Sequence, residues 1–221
     1  MKAAAASGLD AAIVDLDGTM VDTVLDFVAA LNATLRDLGL PAVERDFVER
    51  SIGKGSEHLI RSTLAHLGAE AALYDAGWAR YQHHYLAVNG RQARVYPGVV
   101  EGLERLVARG LPLACLTNKP GAFARQLLRA KGLDRYFAFT FGGDAFARRK
   151  PDPLPLLETC RALGSRPEHT LMIGDSSNDA GAARAAGCPV VLVTYGYNHG
   201  QPIGAVEADG FIDRLDRLPL P

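Results

Sequence analysis

The sequence predicts an α/β protein built on a doubly wound parallel sheet, with an all-helical segment inserted after the first strand. Three observations lead to this fold class. From Val95 onward, short apolar runs alternate with helical stretches, as strands and helices do in a parallel sheet. A glycine follows each of those helical stretches, as is common where helices end. From Asp22 to about Asn89, in contrast, the apolar residues recur at helical spacing and no strong strand is evident.

The first predicted strand is the apolar run Ala11–Val14, which ends abruptly in Asp15-Leu16-Asp17-Gly18. On a strand, residues i and i+2 point to the same face, so Asp15 and Asp17 can face one point in space. Gly18 lets the chain turn sharply away. Two crowded carboxylates repel each other unless a cation lies between them. The run predicts a hard-metal site beside a carboxylate nucleophile, although an ordinary turn rich in Asp and Gly fits these few residues equally well.

The next segment is predicted to be a helical insert. Its first helix carries apolar residues three or four positions apart, at Val28, Leu31, Leu35 and Leu38. Gly39-Leu40-Pro41 ends that helix. Further helices are predicted at Glu57–Leu67 and Ala71–Val88, and a loop containing Gly53 and Gly55 precedes them.

Strands and helices are then predicted to alternate to near the end of the chain. The remaining strand candidates are Leu113–Leu116, Phe137–Phe141, Leu171–Ile173 and Val190–Val193. The helix candidates are Val99–Ala108, Phe123–Lys131, Leu154–Leu163 and Ala180–Ala186. The glycines that follow them are Gly110, Gly132, Gly164 and Gly187.

The composition is that of an ordinary globular protein: 221 residues, 48% hydrophobic and 22% charged. A net charge of −1 gives no indication of a nucleic-acid or membrane partner. We expect the protein to be a monomer or homodimer. The three cysteines are widely separated and odd in number, which predicts reduced, mostly buried thiols. The segment Met1 to Gly8 holds an alanine run too short for a secretory signal. These features predict a cytoplasmic protein.

Polar side chains follow each of four predicted strands. Besides the aspartates after the first strand, they are Thr117, Asn118, Lys150, Asp175 and Asp179. In open parallel sheets, ligands bind outside the carboxyl ends of the strands, so these groups are expected to meet at one edge. A cluster of carboxylates requires a divalent cation, and oxygen ligands suit Mg²⁺. Magnesium, a lysine and polar donors around a carboxylate nucleophile are typical of a phosphoryl-transfer site.

Four motifs in order carry a resemblance to the haloacid dehalogenase-like superfamily: Asp15-Leu-Asp17-Gly-Thr19, Thr117-Asn118, Lys150-Pro and Gly174-Asp175…Asp179. The resemblance covers nearly the whole chain. It implies a Rossmann-like core formed by residues 1–19 and 94–221, with a helical cap formed by residues 20–93 that selects the substrate. It also implies Asp15 as the nucleophile and Asp17 as the general acid and base.

The same resemblance implies the ligands of the site. Mg²⁺ would be held by the Asp15 side chain, the Asp17 backbone carbonyl and Asp175, with Asp179 supporting the metal site. Thr117, Asn118 and Lys150 would bind phosphate.

A narrower resemblance points to bacterial phosphoglycolate phosphatases, which convert 2-phosphoglycolate into glycolate and phosphate. It rests on Thr117-Asn118-Lys119-Pro120, on Lys150-Pro151-Asp152-Pro153 and on Thr194-Tyr195-Gly196-Tyr197-Asn198-His199-Gly200. Where many of those enzymes have Trp-x-Gly-Asn-Gly, this chain reads Ser51-Ile52-Gly53-Lys54-Gly55. Lys54 is therefore a candidate contact for the substrate carboxylate.

Other functions remain open at this stage. The same motifs fit a phosphatase of another small metabolite, such as a sugar phosphate, or a phosphosugar mutase. A catalytically silent domain that binds a phosphorylated ligand or a protein partner is a non-enzymatic alternative.

Overall fold

The computed structural model describes residues 8–220 and confirms the predicted α/β fold class. Most of the segment considered for a secretory signal, residues 1–7, lies outside the described residues, as does Pro221. In chain order, the strands are β1 (Ala11–Val14), β2 (Val21–Asp22), β3 (Arg94–Val95), β4 (Leu113–Leu116), β5 (Phe139–Phe141), β6 (Thr170–Gly174), β7 (Val190–Val193) and β8 (Gly210–Ile212).

Six of these strands form one parallel sheet in the order β5-β4-β1-β6-β7-β8. The chain builds outward from β1 to β5 and then crosses back to add β6 on the other side of β1. The strand order therefore reverses direction beside β1, which is where open α/β sheets form a ligand-binding crevice. β2 and β3 pair antiparallel in a separate ribbon.

The α-helices of residues 8–220 are α1 (Val24–Asp37), α2 (Arg45–Ser51), α3 (Ser56–His66), α4 (Tyr74–Val88), α5 (Val99–Ala108), α6 (Gly121–Ala130), α7 (Leu154–Leu163) and α8 (Ser177–Ala186). The first four lie between β2 and β3 in the chain, so the ribbon forms the base of the helical insert. Among the described residues, no helix combines the length and apolar character needed to cross a membrane.

Both faces of the sheet are covered, which explains why the neighbouring strands β1 and β4 are apolar at every position. Val14 of β1 packs into a cluster with side chains of α5 and α6, whereas Ile13 packs into a second cluster with side chains of α7 and α8. A third cluster joins the helices of the insert and includes Tyr81 and Tyr85. All three cysteines are buried and free, as the sequence predicted.

Most differences from the predicted elements lie at helix and strand ends. α8 begins at Ser177 rather than Ala180, because the Ser176 and Asp179 side chains form a capping box. Asp179 is thus on a helix rather than in a loop. β5 begins at Phe139 because a 3-10 turn, Asp134–Tyr136, precedes it.

Some short elements were not predicted at all. α2 is seven residues long and buries only Val48, so its apolar periodicity is weak. β2, β3 and β8 contain two or three residues each, too few to show an alternating pattern.

Candidate active site

The structure brings seven of the eight predicted site residues together at the carboxyl ends of the central strands. Asp15 and Asp17 directly follow β1, and the others come from the segments after β4, β5 and β6. All seven are buried: Asp15, Asp17, Thr117, Asn118, Lys150, Asp175 and Asp179. The eighth, Lys54, is exposed and is not among the residues that line the cavity at this edge.

Lys150 lies at the centre of the charged cluster. Its Nζ atom is 3.0 Å from Asp15 Oδ1 and 2.7 Å from Asp179 Oδ1, and it donates a hydrogen bond of 2.8 Å to the carbonyl of Leu116. Burial opposes the charge on this lysine, but the two carboxylates outweigh it and raise the pKa of Lys150. The ammonium group therefore stays charged and is fixed against the nucleophile candidate.

Lys150 alone does not neutralise the three aspartates of this cluster, Asp15, Asp175 and Asp179. Burial raises the pKa of Asp15 to about 7, even though Lys150 lowers it. Burial, followed by the neighbouring charges of Asp179 and Asp15, also raises the pKa of Asp175 well above its usual value. These three aspartates offer oxygen atoms within 4.8 Å of one another. Asp15 Oδ1 is buried and, apart from its ion pair with Lys150, accepts no hydrogen bond. Such a donor set suits a hard divalent cation.

Asp175 is held from both sides. Its Oδ1 accepts a hydrogen bond of 2.9 Å from the Thr19 hydroxyl, and its Oδ2 accepts one of 2.7 Å from the Tyr197 N–H. The chain passes so close that a Cβ added to Gly18 or to Gly196 would lie 2.2 Å from an atom of this side chain. Glycine at these two positions is therefore required by the close approach of the backbone to the carboxylate.

The Asp17 side chain faces away from the other carboxylates. Its Oδ1 lies 2.8 Å from Lys119 Nζ in a buried ion pair and accepts a 2.8 Å hydrogen bond from the Thr23 hydroxyl. The two aspartates thus point to different neighbours: Asp15 to Lys150, and Asp17 to Lys119. The two carboxylates therefore lie in separate charged surroundings, each beside its own buried lysine.

Thr117 and Asn118 lie in the loop after β4, but their side chains are partly used within the protein. The Asn118 amide donates to the carbonyls of Gly53 and Lys150, both at 2.9 Å, and its Oδ1 accepts from the Lys150 N–H at 3.1 Å. The Thr117 hydroxyl accepts a hydrogen bond from the Lys119 N–H at 3.3 Å. Asn118 therefore positions the Lys150 loop and the insert.

The helical insert closes over the site. The carbonyl of Gly53 accepts hydrogen bonds from the side-chain amides of Asn118 and Asn178. At the rim, Arg149 Nη2 lies 2.8 Å from Glu57 Oε2. The remaining cavity is about 20 Å³, which is room for one or two water molecules. In this arrangement the cavity is too small for a phosphorylated metabolite.

A tyrosine in the segment after β7 connects the insert to the loop that holds Asp175. The Tyr197 hydroxyl accepts hydrogen bonds from the N–H groups of Thr23 and Val24, at 2.8 and 3.2 Å, and donates one of 2.5 Å to Asp22 Oδ1. It serves as the cap of α1, since Thr23 makes no side-chain capping hydrogen bond of its own. The neighbouring Tyr195 donates to the carbonyl of Thr19 at 2.8 Å.

Two residues that contact the site aspartates were not predicted from the sequence, namely Lys119 and Tyr197. Both occur in runs that the sequence had singled out, Thr117-Asn118-Lys119-Pro120 and Tyr195-Gly196-Tyr197-Asn198. A lysine that follows a strand at the active edge could have been proposed from its position alone. The role of Tyr197 needed the location of α1.

The comparison with a family model and the comparison with individual relatives agree with each other. A family model described as haloacid dehalogenase-like hydrolase matches residues 12–193. A protein of Thiobacillus denitrificans named phosphoglycolate phosphatase is 41% identical over 215 residues, which are 96% of this chain and 95% of that protein. A plasmid-encoded phosphoglycolate phosphatase of Cupriavidus necator is 44% identical over 211 residues, or 95% and 91% of the two chains.

The fold has a similarly close counterpart among solved structures. The crystal structure of a predicted phosphoglycolate phosphatase from Haemophilus somnus superposes with a TM-score of 0.91 at 33% identity. The match covers 96% of each chain. The similarity therefore extends over the sheet and the helical insert alike.

Proposed function

Because the chain belongs to the haloacid dehalogenase-like hydrolase family, we propose that its site hydrolyses 2-phosphoglycolate to glycolate and phosphate through an aspartyl-phosphate intermediate. The observation that carries the proposal is the buried arrangement of Asp15 against Lys150, with Asp17 turned to a separate partner. The relatives named phosphoglycolate phosphatase, at about 40% identity over most of the chain, support this substrate.

Mg²⁺ fits the residues present. The Asp15 and Asp175 side chains would hold it together with the Asp17 carbonyl, and Asp179 would support the loop from the first turn of α8. When bound, it supplies positive charge that screens the phosphate from the carboxylates and stabilises the charge that develops during transfer. Burial and mutual repulsion raise the pKa values of Asp15 and Asp175, and a bound cation would offset both effects.

The transfer has two steps. In the first, a carboxylate oxygen of Asp15 attacks phosphorus and the bond from phosphorus to the glycolate oxygen breaks. The electron pair stays on that oxygen, which takes a proton from Asp17. In the second, Asp17 removes a proton from a water molecule that attacks the aspartyl-phosphate, so that phosphate leaves and Asp15 is regenerated.

The surrounding residues prepare both steps. Lys150 keeps its charge beside Asp15 and would contact the phosphoryl oxygens, reducing the repulsion between two anions. We propose that Thr117 and Asn118 complete phosphate binding, with backbone N–H groups of their loop as further donors. Residues 20–93 would act as a cap that excludes water and selects the leaving group. The three buried thiols are compatible with a reducing, cytoplasmic location.

The test is phosphate release from a panel of esters, with Mg²⁺ and after its chelation. We expect 2-phosphoglycolate to have the highest kcat/KM, with no turnover after chelation or in Asp15→Asn. Asp213→Asn, which changes an exposed carboxylate, is the matched control and should keep wild-type activity.

Each alternative function gives a different outcome. A preference for a hexose phosphate would indicate a sugar-phosphate phosphatase, and an isomerised product with little free phosphate would indicate a mutase. Absence of turnover on the whole panel would favour a silent binding domain. Turnover that survives in Asp15→Asn would contradict the mechanism itself.

A further inference from the structure

Lys119 is a buried cation whose partners are provided by Asp17 and by aromatic side chains of the insert. Only 3% of the residue is exposed. Its Nζ atom donates to Asp17 Oδ1 at 2.8 Å and to the Tyr85 hydroxyl at 2.6 Å. It also lies 4.4 Å from the ring centroid of Phe27 and 4.8 Å from that of Tyr85. Within residues 8–220, its one carboxylate partner is thus the proposed general acid, which must remain free to move a proton.

Ser56 lines the same cavity and has an unused hydroxyl. It is 4% exposed, and its Oγ atom makes no hydrogen bond. Burial raises the pKa of the Tyr81 hydroxyl and the nearby Ser56 partly offsets that rise, but neither hydroxyl forms a hydrogen bond of normal length. Ser56 is the first residue of α3, where the helix N-terminus carries partial positive charge. Leaving a buried hydroxyl unpaired is costly, so this atom indicates a ligand group that the cavity receives.

The two lysines lie on different sides of the reaction. Lys150 contacts Asp15, where phosphorus is attacked, whereas Lys119 contacts Asp17, where the leaving oxygen takes its proton. Among the described residues that line the cavity, Lys119 carries the only positive side chain. An anionic group on the leaving fragment has no other cation to face there.

We infer that Lys119 and Ser56 form a second anion site, which binds the carboxylate of the leaving group and selects short phosphorylated acids over neutral phosphate esters. This inference rests on the proposed function. The carboxylate would accept hydrogen bonds from the Lys119 ammonium group and the Ser56 hydroxyl. Phe27 and Leu59 supply apolar walls, and a dry surrounding strengthens a charge pair.

The experiment compares 2-phosphoglycolate with its neutral amide, 2-phosphoglycolamide, both assayed with Mg²⁺. The two esters share the phosphoryl group and nearly the same size, so their ratio of kcat/KM isolates the carboxylate. In Lys119→Met the acid should lose at least about 30-fold more kcat/KM than the amide, as expected for removal of one partner of a buried charge pair. In Ser56→Ala the selective loss should be about 10-fold.

Two further lysine variants complete the design. Lys131→Met, outside the site, should leave both esters unchanged. Lys54→Met tests the other candidate for the carboxylate contact and should leave the ratio unchanged. A selective loss in Lys54→Met would overturn the inference, as would equal losses for the two esters in Lys119→Met, since a lysine that only supports Asp17 affects both alike.

The outcomes also separate the inference from the proposed function. If the wild type releases phosphate from neither ester, the proposed function fails and the inference with it. If it hydrolyses both esters equally well, the function stands and the carboxylate site is wrong. Should Lys119→Met fail to fold, Ser56→Ala decides, because the small substitution tests the same ratio.

Discussion

Replacing Asp15 by asparagine should stabilise the metal-free protein while it abolishes turnover. The reason is the burial of this carboxylate, which raises its pKa from 3.8 to about 7. Between these pH values the native state keeps a proton that the unfolded state has released. The free energy of unfolding of the wild type therefore falls as the pH rises from about 4 to 7, and the loss is complete above pH 7.

The size of the effect follows from the shift. About three pKa units correspond to about 4 kcal/mol of unfolding free energy. Asparagine has nearly the same shape and cannot ionise, so it escapes this cost. The gain of Asp15→Asn over the wild type should be small at pH 4 and should rise to about 4 kcal/mol at pH 8.

Urea denaturation in the presence of a chelator measures this gain, followed by circular dichroism and by the fluorescence of the single tryptophan, Trp78. Asp213→Asn should stay within about 0.5 kcal/mol of the wild type at every pH. Adding Mg²⁺ should stabilise the wild type and narrow the gap. A gain that does not grow with pH, or a variant less stable than the wild type at pH 8, would refute the argument that Asp15 is ionised at a cost.

Two further variants test the loop that carries Tyr197. Gly196→Ala should abolish Mg²⁺-dependent phosphate release, because its Cβ would lie 2.2 Å from the Cβ of Asp175. The control Gly204→Ala has open space around the new Cβ and should keep full activity. Equal phosphate release by the two variants would contradict the packing argument. Tyr197→Phe should lower the free energy of unfolding in urea by about 2 kcal/mol, since the Thr23 N–H loses its acceptor, the Val24 N–H keeps only a 3.3 Å hydrogen bond to Asp22, and Asp22 loses the tyrosine donor. Tyr195→Phe loses one hydrogen bond and should cost about 1 kcal/mol, so the reverse order would show that the cap of α1 lies elsewhere.

Much of the site could be predicted because topology converts sequence order into position. Asp15, Lys150 and Asp175 all follow parallel strands, and the carboxyl ends of those strands meet at one edge. No knowledge of side-chain orientation was needed to bring them together. The ends of elements were harder to predict, as in α8, where a capping box extends the helix to Ser177.

The residues that escaped prediction depend on how the insert sits on the sheet. Lys119 gains its surroundings from Phe27 and Tyr85, which belong to α1 and α4, and no local pattern relates those helices to the loop after β4. Lys54 shows the converse: its charge suggested a contact, yet the loop turns its side chain outward and its glycine neighbours line the cavity. Distance along the chain carries no information about such contacts.

The carbonyl of Gly53 accepts hydrogen bonds from two asparagine amides of the core. This contact affects which substitutions the loop can accept. A main-chain oxygen is present whatever side chain precedes or follows it. Substitution of Ile52, which lines the cavity, can therefore change the cavity wall while the hydrogen bonds to the Gly53 carbonyl remain. The shape of the cavity wall and the contact that holds the insert on the core can therefore vary independently of each other in this loop.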